Sequence, residues 1–326
     1  MRIYRSTAEV PRDFGPSAVS IGNFDGVHYG HRRILQRVKQ LADQHGWKAS
    51  VLTFDPHPTR VVAPDRTPPL LTSPDRRAAL MSEVGIEQVL ILPFTRELAQ
   101  LSPEEFVKRL LVDTLGARAV LVGDNFRFGH RQAGNVEVLA ELGHKFGFDT
   151  EVVSAVTLRG RMVSSSAIRQ AVRAGDVSWA ARMLRHAYGM EGDVVGGRGI
   201  GSKQTVPTLN LATKAEVIPA NGVYITRTRD LDDAREWNSI TNVGNRPTFG
   251  DSAELSVETF LLDALQGETP QRIRVEFLRR VRAERKFDTP EALRAQILKD
   301  VHVAQKWFRR ARKWIAAGDR PECISC

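Results

Sequence analysis

A chain of 326 residues with 42% hydrophobic content supports ordinary packed cores, enough for two domains at ~100–200 residues each. The formal net charge of +9 favours anionic partners but does not choose between nucleotides, nucleic acid and bulk solubility. The opening MRIYRSTAEVPRDFG has no apolar core of signal-peptide length, and no run of ~18 apolar residues could span a membrane, so the expectation is a soluble cytoplasmic protein without a membrane partner.

The first informative stretch is SIGNFDGVHYGHRRIL, residues 20–35. The apolar run from Ala18 to Ile21 reads as a strand, the segment holding Asn23, Asp25 and Gly26 as a turn, and the residues after His28 and His31 as a helix start. Unpaired N–H groups and the positive end of the helix dipole stabilise anions there, so two imidazoles spaced by a glycine suggest a phosphate site. The alternative is a pair of capping or surface histidines.

Ile34, Leu35, Val38, Leu41 and Ala42 share a helical face that Gly46 can end. Residues 48–54 read as a buried strand, a proline-rich loop follows to Pro69, and Ser73 with Pro74 marks another helix start. Residues 88–92 read as a strand, and Ser102 with Glu105 forms a capping box for a helix to about Leu115. A strand over 117–122, a helix over 136–146 and a strand over 150–153 complete a strand–helix alternation. That rhythm implies a parallel sheet covered on both faces, with ligands beyond its C-terminal strand ends. The loop GDNFRFGHRQAGN, residues 123–135, leaves the same edge and carries Asn125, Arg127, His130 and Arg131 among aromatics and glycines, a composition suited to a flat polar ligand. Arg161, Ser164, Ser165, Ser166 and Arg169 surround a further helix start and could cap it or cradle a second phosphate.

The rhythm changes after a helix over 177–186. The segment GMEGDVVGGRGIGSK lets backbone approach a phosphate closely, notably at Gly199 and Gly201, but it is not a P-loop and could equally be a mobile hairpin. Alternating strands over 223–228, 237–243, 255–262 and 273–281 then read as an antiparallel barrel or sandwich. A long helix from Thr289 lines up Leu293, Ile297, Val301, Ala304, Phe308 and Ile315 to pack on it, with Gly318 as its stop. Its other face carries Lys306, Arg309, Arg310, Arg312 and Lys313, read as solvated rather than as a nucleic-acid contact. Cys323 and Cys326, the two cysteines, lack the further ligands a zinc site needs and read as a free tail.

The motifs GNFDGVHYGH, TFDPHP, GDNFRFG and VSSSAIRQAVRAGD, followed by PTLNL, PANGVYI, TNVGNRPTFG, SVETFLLD and ERKFDTPEALRAQILKD, occur in an order that resembles the bacterial bifunctional riboflavin kinase/FMN adenylyltransferase (FAD synthetase) family. The resemblance covers nearly the whole chain. It implies a Rossmann-like α/β nucleotidyltransferase domain over residues 1–186, a six-stranded antiparallel β-barrel riboflavin kinase domain with a C-terminal helix over 187–318, and a tail over 319–326. It implies ATP, riboflavin and FMN as substrates, FAD as product, Mg²⁺ in both steps, and no nucleic acid; self-association is left open.

Carried over by residue, the resemblance implies that His28 and His31 contact the ATP phosphates and stabilise charge at the α-phosphate, with Asn23 and Asp25 in the same ATP site. Arg161, Ser164, Ser165 and Arg169 would hold the β- and γ-phosphates, and Asn125 and Arg127 the nucleotide or flavin. In the kinase half, Gly199, Gly201, Thr208 and Asn210 would bind ATP phosphates, Thr208 and Asn210 the metal, and Glu258 would be the catalytic base. The chain departs from the family at Thr205 and Val206, where a glycine and an aromatic are common, and at Leu209, often alanine. Two other readings are an adenylyltransferase for a different phosphorylated acceptor and a nucleic-acid-binding protein using the basic helix; the second half's motif set argues against the first, and the lack of a basic-aromatic pattern against the second.

Overall fold

The computed structural model describes residues 1–196, 208–247 and 253–316. The chain divides into two compact units, Met1–Ser165 and Ser166–Cys326.

The first unit is built on six parallel strands: β1 (Arg2–Tyr4), β2 (Ser17–Ile21), β3 (Lys48–Phe54), β4 (Gln88–Leu92), β5 (Ala117–Gly123) and β6 (Asp149–Val153). Their order in the sheet is β1-β4-β3-β2-β5-β6. Inner-strand residues alternate between two cores. Val19, Ile21, Leu52, Leu90, Val120 and Val122 join Leu110, Leu111 and Leu139 on one face. Ala18, Val51, Val89 and Leu121 join Leu35, Val38 and Ala42 on the other. Burial on both faces is what makes these strands near-continuous apolar runs. The helices are α1 (Tyr29–His45), α2 (Pro58–Val62), α3 (Pro74–Ser82), α4 (Pro103–Phe106) and α5 (Val136–Phe146), and Gly46 ends α1 in a left-handed cap at φ 67°. A short hairpin of β7 (Thr157–Leu158) and β8 (Arg161–Met162) follows β6.

The chain lays β3 and β4 to one side of β2, then crosses back to lay β5 on the other. Loops leaving β2 and β5 therefore diverge at their carboxyl ends, and a crevice opens between them. Both sequence-selected loops of this half leave from there. The helix expected to run to about Leu115 continues past α4 as a π-helix over Val107–Thr114, where Thr114 Oγ1 donates to the Arg109 carbonyl at 2.7 Å, five residues back.

Helix α6 (Ser165–Arg173) starts on the last residue of the first unit, and the second unit carries the rest of it, α7 (Val177–Leu184), a closed barrel and α8 (Pro290–Ala316). The strands are β9 (Tyr188–Val195), β10 (Thr208–Thr213), β11 (Gly222–Asp230), β12 (Glu236–Pro247), β13 (Ala253–Leu261) and β14 (Arg272–Ala283), closing in the order β10-β13-β12-β11-β14-β9. The glycine-rich segment is thus partly strand. At Gly192 a Cβ would lie 1.9 Å from the Ala212 carbonyl, so the β9–β10 pairing itself demands glycine. Buried hydroxyls of Thr226, Thr228, Ser239, Thr241 and Thr259 bond to one another at 2.8–3.0 Å.

On the alternate positions, Val223, Ile225 and Ile240 pack against Ala304 and Phe308 of α8, with Val301 at the margin. Leu293, expected on that packing face, is 42% exposed. At 27 residues α8 is about 40 Å long, and residues 291–295 in its first turns are exposed. Gly318, Cys323 and Cys326 lie outside the described residues, as does the side chain of Ile315. Among the described residues no helix is long and apolar enough to cross a membrane.

Candidate active sites

The loop between β2 and α1 is held in an unusual backbone shape. Phe24 and Val27 have φ of 48° and 39°, and Gly26 has 80°. The left-handed region is uncommon for any side chain and exceptional for a β-branched one. Contacts from several elements hold it. The Asn23 carbonyl accepts from Arg77 Nη1 at 2.6 Å and from Thr53 Oγ1 at 3.4 Å, and the Asn23 amide meets His57 Nε2 at 3.0 Å. The buried Asp25 carboxylate accepts the Leu71 and Thr72 amides at 2.9 and 3.1 Å and the Thr72 hydroxyl at 3.2 Å. Thr72 Oγ1 in turn accepts from the Gly26 amide at 3.0 Å. Ser165 Oγ donates to the Asp25 carbonyl at 3.0 Å, which joins the serine-rich segment to the opening loop.

His28 is the N-cap of α1, and its Nδ1 accepts from the His31 amide at 3.3 Å. That bond leaves Nε2 as the protonated nitrogen of a neutral His28 ring. The two rings stack with centroids 3.6 Å apart, and Phe24 meets His31 edge-on at 5.1 Å. Gly30 makes room for this: a Cβ there would sit 3.2 Å from His28 Cε1. Burial, then the nearby His28 and Arg77 charges, push the His31 imidazole well below its usual pKa of 6.5, so it is neutral at pH 7. A helix start, with the positive end of the dipole beside a neutral imidazole donor, is suited to a polyphosphate.

At the neighbouring strand end Asn125 is exposed, its Oδ1 3.5 Å from where a Gly123 Cβ would stand, beside Ile34 of α1. Phe126 stacks on Phe128 at 5.4 Å, which explains two aromatics in a polar loop. Arg127 is exposed and donates to the Phe126 carbonyl at 3.1 Å. Arg161 is exposed on β8, Ser164 is half-buried, and Arg169 is buried on α6 in the second unit.

The sequence reading missed Arg77, His57 and Thr72. Arg77 shares the spacing of Leu80, Met81 and Val84 at i, i+3, i+4 and i+7, a core-facing pattern that flags it as a buried arginine.

On the barrel, Asn210 of β10 pairs in register with Glu258 of β13, which pairs with Asn242 of β12. Directly opposed residues share a face, so the three polar side chains form one row, with Thr208 two residues along β10 on the same face. Ser256 Oγ donates to Glu258 Oε1 at 3.2 Å. Thr208 Oγ1 is buried without a hydrogen-bond partner among the described residues. Leu209 points the other way and is 3% exposed. Gly199, Gly201, Thr205 and Val206 lie outside the described residues.

Residues 10–167 match the FAD synthetase family and residues 184–308 the riboflavin kinase family. A Pseudomonas fluorescens bifunctional riboflavin kinase/FMN adenylyltransferase is 34% identical over 94% of this chain and 97% of its own. The chain belongs to the bifunctional riboflavin kinase/FMN adenylyltransferase family. The Escherichia coli K12 member is 32% identical over 89% of this chain and 92% of its own. A solved Streptococcus pneumoniae structure, named there a macrolide-efflux protein, superposes with a TM-score of 0.81 at 25% identity, covering 94% of this chain and 98% of that one. This bifunctional riboflavin kinase/FMN adenylyltransferase therefore carries its FAD synthetase module first and its riboflavin kinase module second, and acts on small molecules.

Proposed function

We propose that FMN adenylylation takes place at the β2–α1 loop and riboflavin phosphorylation along the Asn210–Glu258 row, with residues 1–186 forming the first functional domain, 187–318 the second and 319–326 a tail. The observation that carries the first assignment is the Ser165–Asp25 hydrogen bond, which unites two phosphate-type segments 140 residues apart.

In the adenylyl step an FMN phosphate oxygen attacks the α-phosphorus of ATP, the α–β bridging bond breaks, and pyrophosphate leaves with the bonding pair. His28, donating from Nε2, and neutral His31 stabilise charge on the α-phosphate, and the positive end of the α1 dipole adds to this. Ser164, Ser165, Arg161 and Arg169 hold the departing phosphates. Asn23 and Asp25 shape the ATP loop, and Asn125 and Arg127 contact the nucleotide or flavin.

In the kinase step the riboflavin 5′-hydroxyl attacks the γ-phosphorus as ADP leaves, and Glu258 accepts the hydroxyl proton. Gly199, Gly201, Thr208 and Asn210 hold the phosphates. Mg²⁺ fits Thr208 and Asn210: both offer hard oxygen donors, and the unpartnered Thr208 hydroxyl is supplied with an acceptor lone pair for a cation that keeps waters and phosphates as its other ligands. When bound, it neutralises charge on the phosphates. A cytoplasmic location, where ATP is abundant, suits both steps.

The test is to incubate the purified chain with riboflavin, ATP and Mg²⁺ and resolve FMN and FAD by chromatography. FMN should accumulate first and FAD follow, and omission of Mg²⁺ should stop both; FAD from supplied FMN without FMN from riboflavin would remove the kinase assignment.

A further inference from the structure

The strained β2–α1 loop needs an external anchor. Two residues of one loop with bulky side chains in left-handed backbone, Phe24 and Val27, relax unless the surroundings over-determine them. Asp25 fixes the middle of the loop through Leu71 and Thr72. The loop's start is fixed by Arg77, whose Nη1 donates to the Asn23 carbonyl at 2.6 Å and to Thr53 Oγ1 at 3.2 Å, the latter at the end of β3.

Arg77 is only 3% exposed. Burial lowers its pKa, opposed by the Asp25 and Asp55 charges. Its hydrogen bonds go to neutral oxygens, and Nε is buried without a partner among the described residues. For packing alone an apolar side chain would fill this position without desolvating a cation. The guanidinium also lies near enough to His31 to depress its protonation.

We infer that Arg77 is a positioning residue for adenylyl transfer: from beneath the loop it fixes the Asn23 carbonyl, and through it the histidine-bearing start of α1, in the shape that receives the triphosphate. It touches no reacting atom. This inference rests on the assignment of adenylyl transfer to the β2–α1 loop. Misalignment of preorganised donors falls on the transition state more than on ATP affinity, so the loss should appear in kcat.

The test uses the full chain with FMN, ATP and Mg²⁺, comparing Arg77→Met, Arg77→Lys and the double variant His28→Ala/His31→Ala. Arg77→Met should lower kcat for FAD formation by at least about tenfold, with the ATP KM moving less than about threefold. Arg77→Lys, which keeps a cationic donor, should recover most of the rate. Riboflavin phosphorylation by the same preparations should be unchanged, and thermal unfolding of the first unit reports on its folding. Wild-type kcat in Arg77→Met, equal losses in Met and Lys variants, or a loss shared with the kinase step would each overturn the inference. If the histidine variant also makes FAD at the wild-type rate, the site assignment itself falls; if only that variant is inactive, the assignment stands and the role of Arg77 falls.

Discussion

Asn210 and Glu258 stand opposite each other across β10 and β13, although 48 positions separate them in the chain. The pairing brings an amide and a carboxylate to one face beside the Thr208 hydroxyl, which lies two residues earlier in the same strand. A carboxylate so placed is suited to take a proton from a hydroxyl brought to that face.

Glu258→Gln keeps the shape of that row and removes the base. FMN formation from riboflavin should fall by about 10²–10⁴-fold, the usual contribution of a positioned general base. FAD formation from supplied FMN should continue. Chromatography of the two reactions checks this, and near wild-type phosphorylation by the variant would contradict the assignment.

Ser165→Ala deletes the donor to the Asp25 carbonyl. A hydrogen bond of this kind contributes about 1 kcal/mol, so a roughly fivefold fall in FAD formation is expected from the altered loop alone. Ser165→Thr retains a hydroxyl and should restore activity. Steady-state rates with FMN and ATP distinguish the two variants, and equal activity in Ala and Thr would show that this hydroxyl does nothing for the reaction.

His31 gives a pH signature. Its folded-state pKa is depressed, first by burial and then by His28 and Arg77, whereas in the unfolded chain it titrates near 6.5. Between those two values the unfolded state binds the proton and the folded state does not. The contribution is therefore intact above pH ~6.5 and is lost as pH falls below it, at up to about 1.4 kcal/mol per pH unit, until the folded pKa is reached. Proton NMR should show the His31 ring still neutral below pH 6.5. His31→Gln should flatten the stability loss of the first unit over the same window, and a His31 titration at 6.5 would refute the depressed pKa.

Much of this architecture was legible because local and global preferences agree. Residues 48–54 and 88–92 are apolar runs between turns, and each became an inner parallel strand. Ser102 and Glu105 form the reciprocal cap their spacing implies. What stayed hidden depends on partners distant in sequence. Gly189 and Gly192 suggest a loop until the Arg274 side chain and the Ala212 carbonyl are seen to leave them no room for a Cβ. Arg77 shows its burial in the spacing it shares with Leu80, Met81 and Val84, but not what it anchors, since the Asn23 carbonyl lies 54 residues away. The positive φ of Phe24 and Val27 has no compositional signature, since it is imposed by bonds from Arg77, Leu71, Thr72 and Ser165.

Gly30 sets stability against activity. It lies in the first turn of α1, where alanine is favoured over glycine by up to about 1 kcal/mol in a helix interior and by less near an end. An added methyl would meet His28 Cε1 at 3.2 Å and Nδ1 at 3.3 Å, so the ring must move by a few tenths of an ångström or tilt away from its stack on His31. The backbone at Gly30 is ordinary helix, so no conformational penalty opposes the substitution. Gly30→Ala should therefore leave the first unit as stable as before or slightly more so while lowering FAD formation from FMN, because the His28 ring is turned from the direction in which the proposed adenylyl step needs its Nε2 donor. Thermal unfolding and steady-state kinetics on the same preparation check both halves. Full adenylylation in the Ala variant would mean that the stacked placement of His28 is not what the reaction uses.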